Sequence, residues 1–257
     1  MTAPLPFVRT VLHRPVVDST SGLARCLLLQ GVDELPLLVW ADSQTLGKGQ
    51  RDSSWWSDEG SLTFTVAIDP AVHRLRIDQE PRVSLAAAVA VIRAIDALGL
   101  VNPGIGIRWP NDVEVGGRKL GGILPERVET EHGHRLLVGI GLNVLTGFEH
   151  APPDVARMAT SLSALQPEPL DPTCRVRLLD EILSRLPGEI ERLADDSADQ
   201  AREWEGLNLL RGEHVRVSLG DRIVAGTVRE IDPQGALCID EGGAIQRLFG
   251  GQVLRDR

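Results

Sequence analysis

The stretch IRWPNDVEVGGRKLGGIL, residues 107–124, reads as a strand, a two-residue turn and a returning strand. Gly116-Gly117 makes the turn, since hairpins this short need positive φ at their centre and glycine adopts it without a Cβ clash. That register sets Val115 against Arg118, Glu114 against Lys119, Val113 against Leu120 and Asp112 against Gly121. Alternation then places Val113, Val115 and Leu120 on a core face, with Asp112, Glu114 and Lys119 on the other. Gly121 and Gly122 adjoin the polar face, and their missing side chains leave room for a ligand against the backbone.

Two readings of that face compete. It is a solvated surface closed by a Glu114–Lys119 pair, or it is chemical: a carboxylate to hold Mg²⁺ on a nucleotide and a lysine to neutralise phosphate or carboxylate oxygens. Trp109-Pro110, just ahead, favours the second, because an exposed loop has little use for so rigid a pair unless something packs there. A second polar segment, DSQTLGKGQRDSSWWSDEGS at 42–61, supports it. Gly47-Lys48-Gly49 can turn backbone N–H groups toward an anion, with Lys48 and Arg51 adding charge. The spacing is not that of a Walker A loop. Trp55-Trp56 can send one ring into the core and present the other to a planar ligand such as adenine. Three of the five tryptophans lie in these two motifs, in a chain with no tyrosine.

Outward from these motifs the pattern is mixed. Residues 8–18 predict a first strand, and Asp18-Ser19-Thr20 a cap for a short helix at 23–30. Buried or alternating strands follow at 35–41 and 62–69, then an apolar helix at 81–98 closed by Gly99. Residues 135–144 predict a strand interrupted by Gly139 and Gly141 and ending near Asn143. His132-Gly133-His134 reads as its turn, not as a metal site. Asp171-Pro172 opens an amphipathic helix over 173–193, continuing toward Trp204. From about Arg211 short alternating strands with Gly-Asp turns predict a small SH3-like β-barrel. The expected division is a catalytic domain over 1–208 and a small β domain over 209–257.

With 42% hydrophobic and 25% charged residues the composition is that of a globular protein, and the net charge of −9 argues against a nucleic-acid partner. Three scattered cysteines without CxxC spacing fit a reducing compartment. Without a signal-like h-region or an 18-residue apolar run, the expectation is a cytoplasmic protein with no membrane partner.

VDST, ADSQTLGKGQ…WWS, RWPNDV, GGRKLGGIL, GIGLNV and the C-terminal strands, in this order, resemble the biotin–protein ligase family. The resemblance covers most of the chain and implies an α+β fold: a mixed sheet with helices packed on one side, then the SH3-like barrel. It implies activation of biotin by ATP to biotinyl-5′-adenylate, with Mg²⁺, and transfer to a lysine of the biotin carboxyl carrier domain of a carboxylase. Ser19, Thr20 and Gln44 would hold the ureido ring, with Gly47, Gly121 and Gly122 also on the biotin side. Lys48 and Gly49 would belong to a loop closing over the adenylate, Trp55 would pack on adenine, and Asn111 and Asn143 would face the nucleotide. Asp112 would hold Mg²⁺, and Lys119 would bridge the biotin carboxyl and the α-phosphate. Where the family loop carries an arginine after the second glycine, this chain has Gln50, so either Arg51 holds the adenylate phosphate through a shifted loop or the adenylate is weakly retained. A first strand within about ten residues leaves no space for a DNA-binding domain, so the expectation is a ligase that binds no DNA, as monomer or homodimer. A lipoate or octanoate ligase shares the catalytic fold, but the KLGG hairpin with the SH3-like tail favours biotin. A non-catalytic biotin-binding homologue is the third reading, motivated by Gln50.

Overall fold

The computed structural model describes residues 7–50, 53–100 and 104–255. The chain runs β1 (Thr10–Val17), α1 (Thr20–Leu29), β2 (Leu37–Gln44), β3 (Ser61–Ile68), α2 (Val83–Ala97), β4 (Gly106–Arg108), β5 (Asp112–Val115), β6 (Arg118–Thr130) and β7 (Gly133–Asn143). These strands form one sheet in the order β1-β2-β3-β7-β6-β5-β4. Only β1 and β2 are parallel, because α1 carries the chain back between them.

β3 is an interior strand of this order, and every one of its residues is buried. Its expected alternation therefore never becomes an alternation of exposure. Phe64 and Val66 face one cluster and Ala67 the other. On the larger side α2 covers the sheet, and α4 (Cys174–Ala194) packs on α2 through Leu178, Ile182, Leu186 and Ile190. α1 closes a smaller patch on the opposite face, where Ala24 and Leu28 meet Leu37, Val39 and Leu137. Ser19 is its N-cap and accepts from the Gly22 N–H at 3.3 Å, so the helix begins three residues earlier than expected.

Three further details differ from expectation. The long amphipathic helix is two: α4 stops at Ala194, and α5 (Ala198–Gly206) begins anew under a Ser197 cap that accepts from Gln200 N–H. Between them Asp196 sits at φ 48°, outside helical space. The hairpin turn falls at Gly116-Gly117 as expected, but a bulge between Val113 and Glu114 shifts the register beyond Lys119, so Val113 faces Gly121 and Asp112 faces Gly122. The C-terminal strands β8 (His214–Ser218), β9 (Ile223–Ile231), β10 (Leu237–Glu241), β11 (Ala244–Leu248) and β12 (Gln252–Val253) form a five-stranded antiparallel sheet in the order β11-β10-β9-β8-β12, whose hydrogen-bonded ladder is not closed into a barrel.

Trp109 explains why a rigid Trp-Pro precedes the hairpin. It is 2% exposed, and its indole N–H donates to the Gly235 carbonyl at 3.0 Å, fastening the C-terminal sheet to the seven-stranded one. Gly235 holds φ 74°, and a Cβ there would lie 2.8 Å from Arg82. Among the described residues no helix is long and apolar enough to cross a membrane.

Candidate active site

A cavity of about 750 Å³ opens along one face of the sheet and is walled on its far side by the C-terminal strands. Strand order arranges its chemistry. The β2 and β3 side is neutral: the Thr20 backbone N–H and hydroxyl donate to Gln44 Oε1 at 2.7 and 3.1 Å, the Thr65 hydroxyl donates to Thr20 Oγ1 at 2.9 Å, and Ser21 Oγ lies 3.0 Å from Thr65 Oγ1. With its oxygen engaged, Gln44 has amide protons left for a ligand. The Ser19 hydroxyl, an acceptor from Gly22, likewise keeps its proton to donate. Gly139 belongs to this end, since a Cβ there would stand 2.8 Å from Ser21 Oγ.

Toward β6 and β5 the lining becomes ionic. Lys119 Nζ lies 2.6 Å from Asp112 Oδ1, and both side chains are partly open to the cavity. A Cβ on Gly122 would come 3.2 Å from Lys119 Cε and 3.4 Å from Asp112 Oδ1, so that glycine leaves the pair its space. Between the two ends the Trp55 indole lies on β7: a Cβ on Gly141 would be 2.5 Å from Trp55 Cε2. Lys119 Nζ sits 5.6 Å from the centre of the same ring.

The loop carrying Trp55 is anchored at both ends. Thr45 Oγ1 donates to Asp18 at 2.7 Å, and Asp58 accepts from the Gly147 N–H at 2.9 Å. Its middle folds back on itself. The Gly49 N–H donates to Ser53 O at 2.7 Å and the Trp55 N–H to Gly47 O at 2.8 Å, so Gly49 is not free to offer its N–H to an anion as the nest reading expected. Gly47 is needed for this close return, because its Cβ would lie 2.4 Å from Trp55 O. Lys48, Gly49 and Gln50 line the cavity; Arg51 lies outside the described residues.

Of the residues expected at the site, Ser19, Thr20, Gln44, Trp55, Asn111, Asp112, Lys119 and Gly122 therefore meet around one cavity. Asn111 is pinned there, its amide donating to Ile123 O at 2.7 Å. Gly121 and Asn143, also expected at the site, are not among the residues lining the cavity. The missing side chain of Gly121 accommodates Gly141 O, 2.9 Å from where a Cβ would sit. Asn143 donates its amide to Thr160 O at 3.0 Å and to Lys119 O at 3.4 Å, so it holds the lysine's backbone.

The Glu114–Lys119 pair is also absent. Glu114 is 2% exposed and meets Arg255 from the C-terminal segment, with Arg108 Nε at 3.9 Å. Burial raises the Glu114 carboxyl above the usual carboxylate range against the pull of both guanidiniums, and burial lowers the Arg108 guanidinium. Arg108, Arg216 and Arg255 all line the cavity and were not anticipated. Neither were Ser21 and Gly139; the available hint was Thr65 in an otherwise apolar strand, whose hydroxyl meets both Thr20 and Ser21.

Among the described residues no three His, Cys, Asp or Glu side chains converge as a metal centre. Among the described residues one carboxylate, that of Asp112, lines the cavity, which would suit Mg²⁺ carried by a nucleotide whose phosphate oxygens supply other ligands.

One cavity on a mixed sheet thus joins a neutral polar pocket, a Lys–Asp pair and a wall from the separate C-terminal sheet. Comparison with known proteins places it further. Residues 14–143 match the biotin/lipoate A/B protein ligase family, and residues 211–255 match the biotin protein ligase C-terminal domain. Among curated relatives, the biotin–[acetyl-CoA-carboxylase] ligase of Mycobacterium tuberculosis is 32% identical over 229 residues, spanning 88% of this chain and 82% of that one. The bifunctional ligase/repressor BirA of Bacillus subtilis is 28% identical, over 95% of this chain and 73% of that one. Among solved structures, the biotin protein ligase from Aquifex aeolicus in complex with biotin and ATP superposes with a TM-score of 0.80 at 24% identity, covering 96% of this chain and 98% of that one. The chain belongs to the biotin/lipoate A/B protein ligase family.

Proposed function

We propose that this protein is an ATP-dependent biotin–protein ligase that forms biotinyl-5′-AMP and transfers biotin to a lysine of a carboxylase's biotin carboxyl carrier domain. The observation that carries this reading is one cavity holding both a neutral, hydrogen-bonding pocket and, across Trp55, a Lys119–Asp112 pair. The pocket suits a ureido ring: Gln44 and Ser19 retain protons for its carbonyl, and the hydroxyls of Thr20 and Ser21 are held in line behind them.

In the first half-reaction a biotin carboxylate oxygen attacks the α-phosphorus of ATP and pyrophosphate departs. Two anions must approach, so a fixed cation offsets their repulsion and stabilises the charge that develops. Lys119 supplies it, with Asp112 holding its ammonium at 2.6 Å and Asn143 holding its backbone. Asp112 would also hold Mg²⁺, which supplies charge neutralisation on the phosphates. Adenine packs against Trp55, and the charges of Arg51 and Lys48 retain the adenylate phosphate in place of a Gln50 that can offer only a neutral amide. In the second half-reaction the acceptor's neutral amine attacks the acyl carbon of the anhydride, AMP leaves and the amine loses its proton.

We put the division between the larger and the C-terminal domain near residue 208, a choice supported by the gap between α5, ending at Gly206, and β8, starting at His214. We place the protein in the cytoplasm, where its acceptor and ATP are found, and assign it no DNA or membrane partner. Incubating it with labelled biotin, ATP, Mg²⁺ and an isolated biotin carboxyl carrier domain tests the proposal. Label should appear on one acceptor lysine and vanish when that lysine is changed to arginine. Labelling of a lipoyl domain by lipoate, with none from biotin, would contradict it.

A further inference from the structure

The C-terminal segment 252–255 is a wall of the cavity but is lightly held by its own sheet. Only Gln252 and Val253 pair with β8, followed by one bond from the Leu254 N–H to Arg216 O at 2.8 Å. Its far end is held by the central hairpin instead. Arg255 donates through Nη1 to Gly117 O at 3.0 Å and through Nη2 to the Glu114 carboxylate. Arg108, from β4, approaches the same carboxylate oxygen. Two cavity-lining guanidiniums from the two sheets thus share one buried acid. Other buried acids bound to arginine, Glu80 with Arg127 and Glu189 with Arg93, lie outside the cavity walls.

We propose that Glu114 is a positioning residue for the nucleotide: through Arg255 it fixes the C-terminal wall against the hairpin that carries Asp112 and Lys119, and with Arg108 it aims two guanidiniums at polyphosphate. Naming the ligand ATP rests on the ligase reading above. Glu114 itself touches no substrate. Its influence falls on the ionic side of the cavity, because the Thr20–Gln44 pocket lies across β3, β7 and β6 from it.

The test is calorimetry of the full chain with ATP and with biotin separately, joined to steady-state ATP–pyrophosphate exchange, for Glu114→Gln, Arg255→Ala and the double variant. Each single variant is expected to raise the Kd and KM for ATP about ten- to a hundredfold, the loss expected for a hydrogen bond to a charged group. Biotin affinity should stay at the wild-type value, and kcat should change less than KM. The double variant should weaken ATP binding by clearly less than the product of the single effects, since both remove the Glu114–Arg255 connection. Unchanged ATP affinity in folded Glu114→Gln, effects that multiply in the double variant, or equal weakening of biotin would overturn the proposal. If Glu114→Gln does not fold, Arg255→Ala and Arg255→Lys decide: ATP binding lost in the first and partly restored in the second is expected, and wild-type binding in both refutes it. A wild type that binds ATP but does not exchange on biotin would contradict the ligase reading, while the Glu114 test still runs on ATP affinity.

Discussion

Lys119 leans across Gly122 to Asp112, not to Glu114, and this sharpens what its removal should do. The face is polar and partly open, so Lys119→Ala should keep the fold while slowing adenylate formation by about 10²–10³, the usual loss of one preorganised charge-stabilising donor. Burst measurements of biotinyl-adenylate, with thermal melts alongside, check this; adenylation within a few-fold of wild type would mean the lysine serves only Asp112. The tryptophans divide less sharply than their order in the sequence predicts. Trp55→Ala should raise the KM for ATP more than that for biotin and hardly move the melting temperature. Trp56 is half-buried against Phe148 at 5.9 Å, so Trp56→Ala should cost about 1–2 kcal/mol, short of the roughly 3–5 of a fully buried ring. Paired ATP titrations and melts distinguish this from the reverse assignment. For the loop, Arg51→Ala should shorten the lifetime of pre-formed adenylate far more than Gln50→Ala, read by chasing labelled biotin.

At the scale of the element, the hairpin shows what local pattern reveals and what it cannot. Gly116-Gly117 announces its own turn, and Val113, Val115 and Leu120 announce their core face; all three are buried. The bulge's mark is ambiguous, since Gly121-Gly122 beside Leu120 signals either a bulge or a close approach of ligand or backbone, and the bulge alone moves Asp112 from Gly121 to Gly122. Glu114 was misread for a related reason: its partner lies 141 residues away in a sheet whose docking no local pattern encodes. The same limit hid Arg108, Arg216 and the depth of Asn143. That last residue makes the element-scale prediction. Asn143→Ala would leave the Thr160 carbonyl buried without its donor and loosen the backbone of Lys119. A stability loss of about 1–3 kcal/mol by denaturant titration is expected. Adenylation should slow while the KM for ATP holds, and a wild-type rate in the folded variant would remove Asn143 from the account.

Across the whole molecule, the neutral half of the cavity is built before residue 144, whereas the ionic half needs both sheets. Truncation after Leu210 should therefore leave biotin binding in any protein that folds and abolish efficient use of ATP. Calorimetry showing a folded truncation that has lost biotin would contradict this division. The order of motifs along the chain made the two-part plan legible, because each motif sits on a separate strand or loop of one sheet. What brings the last arginine of the described chain to the first hairpin is tertiary docking through Trp109 and Gly235, and only the structure displays it.

The central claim is that one cavity activates biotin with ATP, and ATP–pyrophosphate exchange measures that step without an acceptor. Labelled pyrophosphate should enter ATP when biotin and Mg²⁺ are added, should not do so with lipoate, and should fall about 10²–10³-fold in Lys119→Ala. Exchange supported by lipoate and not biotin, or none with either in a protein that binds both ATP and biotin, would contradict the account.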